Sequence, residues 1–191
     1  MVSVILSALL LEIPERLETE RLEIAAVRAG QGVLVNQAVL DSYSELAQWM
    51  PWAVARPTVE QSEANCREAQ AKWHARQILD FCFLRKDDQS LVGRGGLHTI
   101  DWSIPKFEIG YWIRTSSAQR GYATEATLAL VDLARDLLGA KRLEITSDAR
   151  NAPSRRVAEK CGFELEGILR QSRRDTSGAL ADSCMYSRVF P

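Results

Sequence analysis

Short runs of alternating apolar and polar residues fill much of this chain, and longer stretches repeat their apolar positions every three or four residues. Leu22 to Ala26 reads as a short strand. Val33 to Trp49 is helical in places, with Leu34, Ala38, Leu46 and Trp49 as core positions. Pro51 and Pro57 bracket a loop that holds Trp52. Thr58 followed by Gln61 matches a capping box, which predicts a helix running to about Arg76. Asp80 to Arg85 alternates as a strand, with Phe81, Phe83 and Arg85 on one face and Cys82 and Leu84 on the other. Asp87-Asp88 is a turn. Leu91 to Ile100 is a second strand, loosened by Gly93, Gly95 and Gly96, and Lys106 to Arg114 is a third.

A polar loop, Thr115 to Arg120, leads into a long helix from about Tyr122. Ala126, Leu130, Leu133 and Leu137 give that helix one buried stripe, and Gly139 stops it. Arg142 to Ser147 is a strand, and Asn151-Ala-Pro-Ser opens a helix that Gly162 closes. Phe163 to Arg174 and Ala181 to Phe190 are the last strands, joined around Ser177-Gly178. The predicted fold class is mixed α/β (α+β): a mostly antiparallel central sheet flanked by helices. With 191 residues, no repeat and no linker-like stretch, one domain over 1–191 is expected.

Composition narrows the function classes. The formal net charge of −1 offers no global attraction to nucleic acid. Cys66, Cys82, Cys161 and Cys184 are far apart, with no CxxC pair and only two histidines, so no zinc or other metal is expected and the thiols should be reduced and packed. Val2 to Leu11 is apolar apart from Ser3 and Ser7. It lacks the basic start of a secretory signal and falls short of the roughly 20 residues that span a bilayer. It is expected to pack on the domain or on a second subunit, which leaves room for a homodimer. The chain is expected to be cytoplasmic, with no membrane partner.

The candidate chemistry lies in residues 105–170. Phe107-Glu108-Ile109-Gly110-Tyr111-Trp112-Ile113 runs as a strand into Ala118-Gln119-Arg120-Gly121-Tyr122-Ala123-Thr124-Glu125-Ala126. A helix N-terminus leaves backbone N–H groups unpaired and carries partial positive charge. Gly121 lets the backbone approach a ligand, Ala123 leaves room, and Arg120 adds a full charge, which together suit a pyrophosphate. No GxxxxGK[ST] or GxGxxG string is present. A second block follows: Asn151-Ala-Pro-Ser154-Arg-Arg-Val157-Ala-Glu-Lys160-Cys-Gly162-Phe163-Glu-Leu-Glu166-Gly167.

These two blocks resemble the core motifs of the GNAT superfamily of N-acetyltransferases, and within it the ribosomal-protein N-terminal acetyltransferase (Rim-type) branch. There the strand often reads EIGYW, the loop GYATEA and the second block NxxSxxVxEKxGFxxEG. Leu17-Glu-Thr-Glu-Arg-Leu22 and Met50-Pro-Trp52 also look like that branch, so the similarity covers roughly residues 16–188. One departure is Ala118, where the superfamily's loop usually carries Gln or Arg; Gln119 and Arg120 stand nearer the glycine.

The resemblance implies acetyl-CoA as donor and an amine as acceptor, either a protein N-terminus or a small molecule. It implies pyrophosphate on the amides of Arg120, Gly121, Ala123 and Thr124, beside Gln119 and Tyr122. It implies a pantetheine arm paired along Ile113 and Arg114, in a gap between that strand and the strand at 142–147, with Asn151 holding the arm from the other side. A backbone N–H near Trp112 or Ile113 is the candidate oxyanion donor. Glu108 is the candidate general base and Ser154 the candidate acid, with an exposed carboxylate and a helix cap as their plain structural alternatives. Tyr111 and Tyr122 read as packing, His74 and His98 as surface or core residues. Trp49, Met50 and Trp52, with the last strands, are the candidate acceptor pocket. Arg170, Arg173 and Arg174 form a basic cluster that suits either an acidic acceptor or a solvated strand face. A non-catalytic acyl-coenzyme-A sensor on the same fold is the alternative to an enzyme, and a plain interaction module a third reading.

Overall fold

A computed structural model describes residues 8–191. Its centre is a sheet of β1 (Arg16–Glu18), β2 (Leu22–Ala26), β3 (Leu79–Arg85), β4 (Leu91–Asp101), β5 (Lys106–Ile113), β6 (Arg142–Asp148), β7 (Glu164–Arg174) and β8 (Leu180–Val189). The spatial order is β1-β2-β3-β4-β5-β6-β8-β7. Neighbouring strands pair antiparallel, except that β5 and β6 run parallel. The helices are α1 (Gly32–Asp41), α2 (Tyr43–Trp49), α3 (Val59–His74), α4 (Tyr122–Asp132) and α5 (Ala152–Lys160). None of the described helices is long and apolar enough to cross a membrane.

Strand alternation sorts the core into two layers, because successive side chains point to opposite faces. Phe81, Phe83, Leu97, Phe107, Ile109, Leu143 and Ile145 meet α4 and α5 on one face. Cys82, Leu84, Leu91 and Trp112 meet α1, α2 and α3 on the other. The division of β3 into a Phe81/Phe83 face and a Cys82/Leu84 face is as its alternation predicts. In α1 the buried face is wider than expected: Val35, Asn36 and Val39 join Ala38, and Leu34 is only half-buried. Trp49 is half-buried as well.

Local signals hold where they rest on capping chemistry. Thr58 Oγ1 accepts from the Gln61 amide at 3.2 Å and Gln61 Oε1 accepts from the Thr58 amide at 2.8 Å, closing the capping box of α3. Gly139 takes φ +65° and ends the long helix. The stripe of that helix differs at its end. Leu133–Leu137 is a π-helical turn. Its wider winding rotates later residues off the 3.6-residue register, so Leu138 is buried and Leu137 is 45% exposed.

The glycines of β4 serve close approach rather than looseness. Gly93, Gly95 and Gly96 are all buried, and a Cβ on Gly96 would fall 1.9 Å from the Leu79 carbonyl oxygen. Four buried, free cysteines complete the two layers. Burial pushes the Cys82 thiol up to about 12 and that of Cys161 up to about 11. Of the apolar N-terminal run, residues 2–7 lie outside the described residues. The part described docks on the domain: Ala8 is buried, and the Arg76 guanidinium donates to the Ala8 carbonyl at 3.3 Å and to the Leu11 carbonyl at 2.6 Å.

Candidate active site

The sheet splits where β5 meets β6. Their register covers Lys106↔Arg142, Phe107↔Leu143 and Glu108↔Glu144 and then stops, although β5 continues to Ile113 and β6 to Asp148. β5 stays paired with β4 as far as Ile113, and β6 with β8 as far as Asp148. A wedge therefore opens between two strands, with unpaired backbone edges along both sides. Glu108 stands at its vertex. Backbone groups without partners are costly unless water or a ligand meets them, so the wedge suits an extended ligand that pairs like a strand.

The loop leaving β5 ends at the mouth of this wedge. Gly121 caps α4 with φ +84°, a left-handed conformation, and no side chain closes the cap. Among the described residues, the amides of Gln119 through Thr124 donate to no protein acceptor. Six consecutive free N–H groups at a helix start form an anion cradle. Gln119, with φ +60°, and Arg120 are exposed beside it. The Tyr122 side chain is buried, so only its amide is on offer.

Arg21 braces this cradle, and the sequence reading assigned it no role. Its guanidinium donates to the Arg120 carbonyl at 2.9 Å, pairs with Glu125 and lies 4.6 Å from the Tyr122 ring centre. Thr19 Oγ1 donates to Glu125 at 2.5 Å. The Leu17–Leu22 block thus works as a strand turn stapled to the start of α4. Its signal was a polar Thr-Glu-Arg tip between two short strands.

On the far side of the wedge, Asn151 caps α5 by accepting from the Ser154 amide at 3.1 Å, which leaves its side-chain NH2 free. The cap of α5 is therefore Asn151, not Ser154. The Ser154 hydroxyl lies 3.4 Å from that of Tyr111. Burial pushes the Tyr111 phenol up to about 12, so it stays protonated at neutral pH. Arg114 differs from expectation. Its guanidinium is paired with Asp41 and its amide donates to the Val92 carbonyl at 2.8 Å, so neither points to a ligand.

The face of β5 toward α1 and α3 borders a cavity of about 560 Å³. Its floor is Gly95, Gly96 and Gly110, where missing side chains leave space. Val35, Val39, Met50, Trp52 and Trp112 give it an apolar wall. Asp80, Arg94, Asn65 and His98 give it a polar one, with Arg94 bonded to Asp80 at 2.6 Å and to Asn65 at 2.7 Å. Met50 and Trp52 line the cavity and Trp49 does not. A helix turns successive side chains about 100° apart, and Trp49 is the last residue of α2. The last strands do not line it either; their hairpin reaches only the end of α2, where Thr176 donates to the Gln48 carbonyl at 3.4 Å. A smaller polar cleft of about 320 Å³ over Glu15, Arg28 and Gln31 lies on the β1–β2 edge, away from the wedge.

Of the basic cluster, Arg173 enters an ion pair, Arg174 bonds a backbone carbonyl and Arg170 is exposed. Arg150 and Arg173 both meet Asp148, whose side chain is 3% exposed, and Arg150 also meets Asp175 at 3.0 Å. Arg174 donates to the Gly178 carbonyl at 2.7 Å. Arg173 and Arg174 are therefore committed within the protein rather than free to grip an acidic acceptor.

Comparison with known proteins shows the family. Residues 21–164, three quarters of the chain, match the family model described as the acetyltransferase (GNAT) domain. The chain belongs to the GNAT acetyltransferase family. A ribosomal-protein-serine acetyltransferase of Escherichia coli is 28% identical over 175 residues, covering 90% of this chain and 94% of that protein. An N-acetyltransferase of Bacillus licheniformis, p20, is 26% identical over 177 residues, covering 91% and 95%. Among solved structures, the RimL ribosomal L7/L12 acetyltransferase in complex with coenzyme A superposes with a TM-score of 0.85 at 21% identity, over 93% of this chain and 97% of that one. The microcin C7 self-immunity acetyltransferase in complex with acetyl-CoA and AMP does so with a TM-score of 0.85 at 20% identity, over 90% and 94%. This GNAT chain is an acetyl-CoA-dependent N-acetyltransferase.

Proposed function

We propose that this acetyltransferase modifies the α-amino group of a protein N-terminus, with the acetyl donor in the β5–β6 wedge and the acceptor in the cavity over Gly96 and Gly110. The observation that carries the reading is that one strand, β5, borders both spaces, with Glu108 at the vertex between them. The ribosomal-protein acetyltransferases among its relatives favour a protein acceptor over a small amine.

When bound, acetyl-CoA supplies a thioester activated toward amines. The amides of Gln119 to Thr124 hold the pyrophosphate, with the Arg120 charge beside them. The free edge at Ile113 and the Asn151 NH2 align the arm. The backbone N–H of Ile113, which points away from β4 toward the wedge, stabilises the developing oxyanion. Glu108 provides the negative charge that draws a proton from the amine. An α-amino group has a pKa of about 7.7–8.0, so about a tenth of it is already free at pH 7, and modest general-base help is enough. The Ser154 hydroxyl, backed by the un-ionised Tyr111 phenol, donates toward the departing sulfur. The thiols do not serve as an acetyl carrier, since all four cysteines are buried in the core layers. Attack is therefore direct, in a ternary complex.

Isothermal titration with acetyl-CoA, followed by thiol release with peptides and with small amines, tests the reading. Binding with release on peptides bearing a free N-terminus supports it. Release only on small amines would move the acceptor class, and binding without release on any acceptor would favour a sensor.

A further inference from the structure

Glu108 has a partner across the strand pair. It sits opposite His98 in the β4–β5 register, and between their side chains stands Thr99. The Thr99 hydroxyl lies 3.1 Å from Glu108 Oε2 and 3.1 Å from His98 Nδ1. A carboxylate only accepts hydrogen bonds. The Thr99 proton therefore goes to Glu108, and the Thr99 oxygen has only lone pairs left for His98. The His98 Nδ1 must then carry a proton and donate it to Thr99. In a neutral imidazole this leaves Nε2 bare, as an acceptor.

The backbone is shaped to hold this chain of bonds. β4 carries one extra residue between His98 and Asp101 relative to β5, and Thr99 sits in that bulge with φ +50°. A left-handed conformation is rare for a β-branched residue, and strain of this kind gathers at functional sites, where bulges re-aim side chains. The bare nitrogen is also placed with purpose. His98 lines the cavity, and a Cβ on Gly110 would fall 2.5 Å from its Nε2. Gly110 lies on β5 just past the last residue paired with β6. The imidazole thus lies over the cavity floor beside the vertex of the wedge.

We propose that His98 is the group that takes the proton from the acceptor amine, with Thr99 and Glu108 as the relay that fixes its tautomer. The inference rests on the acetyl-transfer reading above and names the atom that does the deprotonation. In the step, the amine nitrogen forms a bond to the acetyl carbon and gives one proton to Nε2. The carbon–sulfur bond breaks and its electron pair leaves on sulfur. Sulfur takes a proton through the Ser154 hydroxyl, which is replenished from water. The imidazolium, opposed by Glu108 Oε2 at 3.8 Å from Nδ1, returns its proton to water through a side chain that is 38% exposed. The other charged groups around the cavity, Asp80 from β3 and Arg94 from β4, are paired with each other. Glu108 is therefore the unbalanced charge that His98 faces.

Two measurements test this, and the first needs no acceptor. Long-range proton–nitrogen NMR of histidine-labelled protein at pH 8.5 reads the tautomer directly, with exposed His74 as reference and His98→Gln for assignment. The expected result is a proton on Nδ1 of His98, lost in favour of Nε2 in Thr99→Val. A wild-type His98 protonated mainly on Nε2 overturns the relay. The second uses acetyl-CoA and a peptide with an N-terminal serine. His98→Gln should keep its affinity for coenzyme A and lose about 100-fold in kcat/KM at pH 7, with a smaller loss at pH 9. A rate and pH profile equal to the wild type would remove His98 from catalysis. If the wild-type enzyme ignores that peptide, the N-terminal acceptor reading fails, and the tautomer decides the relay by itself.

Discussion

Single residues carry sharply different amounts of function. Gly121 has φ +84° and its amide stands in the middle of the cradle. Valine there meets a left-handed penalty of about 1–2 kcal/mol and brings a side chain toward Arg21, whose Nη2 is already 3.3 Å from the position of a Cβ. Gly121→Val should weaken coenzyme A at least 10-fold in isothermal titration and leave the circular dichroism spectrum of the fold unchanged. Affinity like that of the wild type would remove the loop from the phosphate site. Glu108→Gln keeps shape and removes charge. Turnover should fall more at pH 7 than at pH 9, because free amine accumulates unaided as pH rises through its pKa. The placements of Gly121 at the start of α4, Asn151 at the start of α5 and Glu108 on β5 were legible, because they follow from local punctuation and strand alternation. Arg21, Asp80, Arg94 and His98 were not, since their partners lie 14 to 104 residues away in sequence or wait on a bulge. Arg94 did leave a trace, as the one charge in the apolar and glycine run from Leu91 to Leu97.

At the scale of elements, boundaries followed from punctuation and faces from alternation. The Thr58–Gln61 box placed the start of α3, and alternation divided β3 correctly between two layers. The π-helical turn at Leu133–Leu137 was invisible because its apolar spacing reads equally well as a continued α-helix, and the wider turn shows only in which leucine ends up buried, Leu138 rather than Leu137. The insertion of β8 between β6 and β7 is likewise a matter of topology that strand patterns do not encode. Two predictions belong here. Thr58→Ala removes a cap remote from the wedge and should cost about 1 kcal/mol of stability, read as a lower midpoint in urea with coenzyme A affinity unchanged. Arg21→Ala cuts the staple between the β1–β2 turn and α4. It should raise the dissociation constant for coenzyme A several-fold and raise amide exchange across residues 119–125, while β3 and β4 keep their protection. Unchanged affinity would make Arg21 a surface ion pair only.

For the molecule as a whole, the wedge needs β6 held rigidly from its far side once β5 has left it. β8 supplies the pairing as far as Asp148, and the Asp148–Arg150–Arg173–Asp175 cluster ties the end of β6 to the β7–β8 hairpin. The hydrogen bonds from Arg150 hold the Asp148 carboxyl below the usual range. Hydrogen bonds from Ser177 and Arg150 lower Asp175 to about 2, and Arg142 lowers Glu166 to about 2. These are carboxylates whose folded pKa lies below the unfolded value. Their contribution is complete above an unfolded pKa of about 4 and disappears as pH falls through the folded values. The melting temperature should therefore be insensitive to this cluster from pH 7 to 5 and should fall between pH 4 and 2. Asp148→Asn keeps the shape and removes the buried charge that Arg173 and Arg150 face. It should cost at least about 1 kcal/mol at pH 7, or about 2–4 °C in Tm, and the gap from the wild type should close as pH drops toward 2. Coenzyme A affinity should fall with it, because the end of β6 is one wall of the wedge. If Tm drops and affinity holds, the cluster stabilises the hairpin alone, and the wedge keeps its opening through the β6–β8 hydrogen bonds.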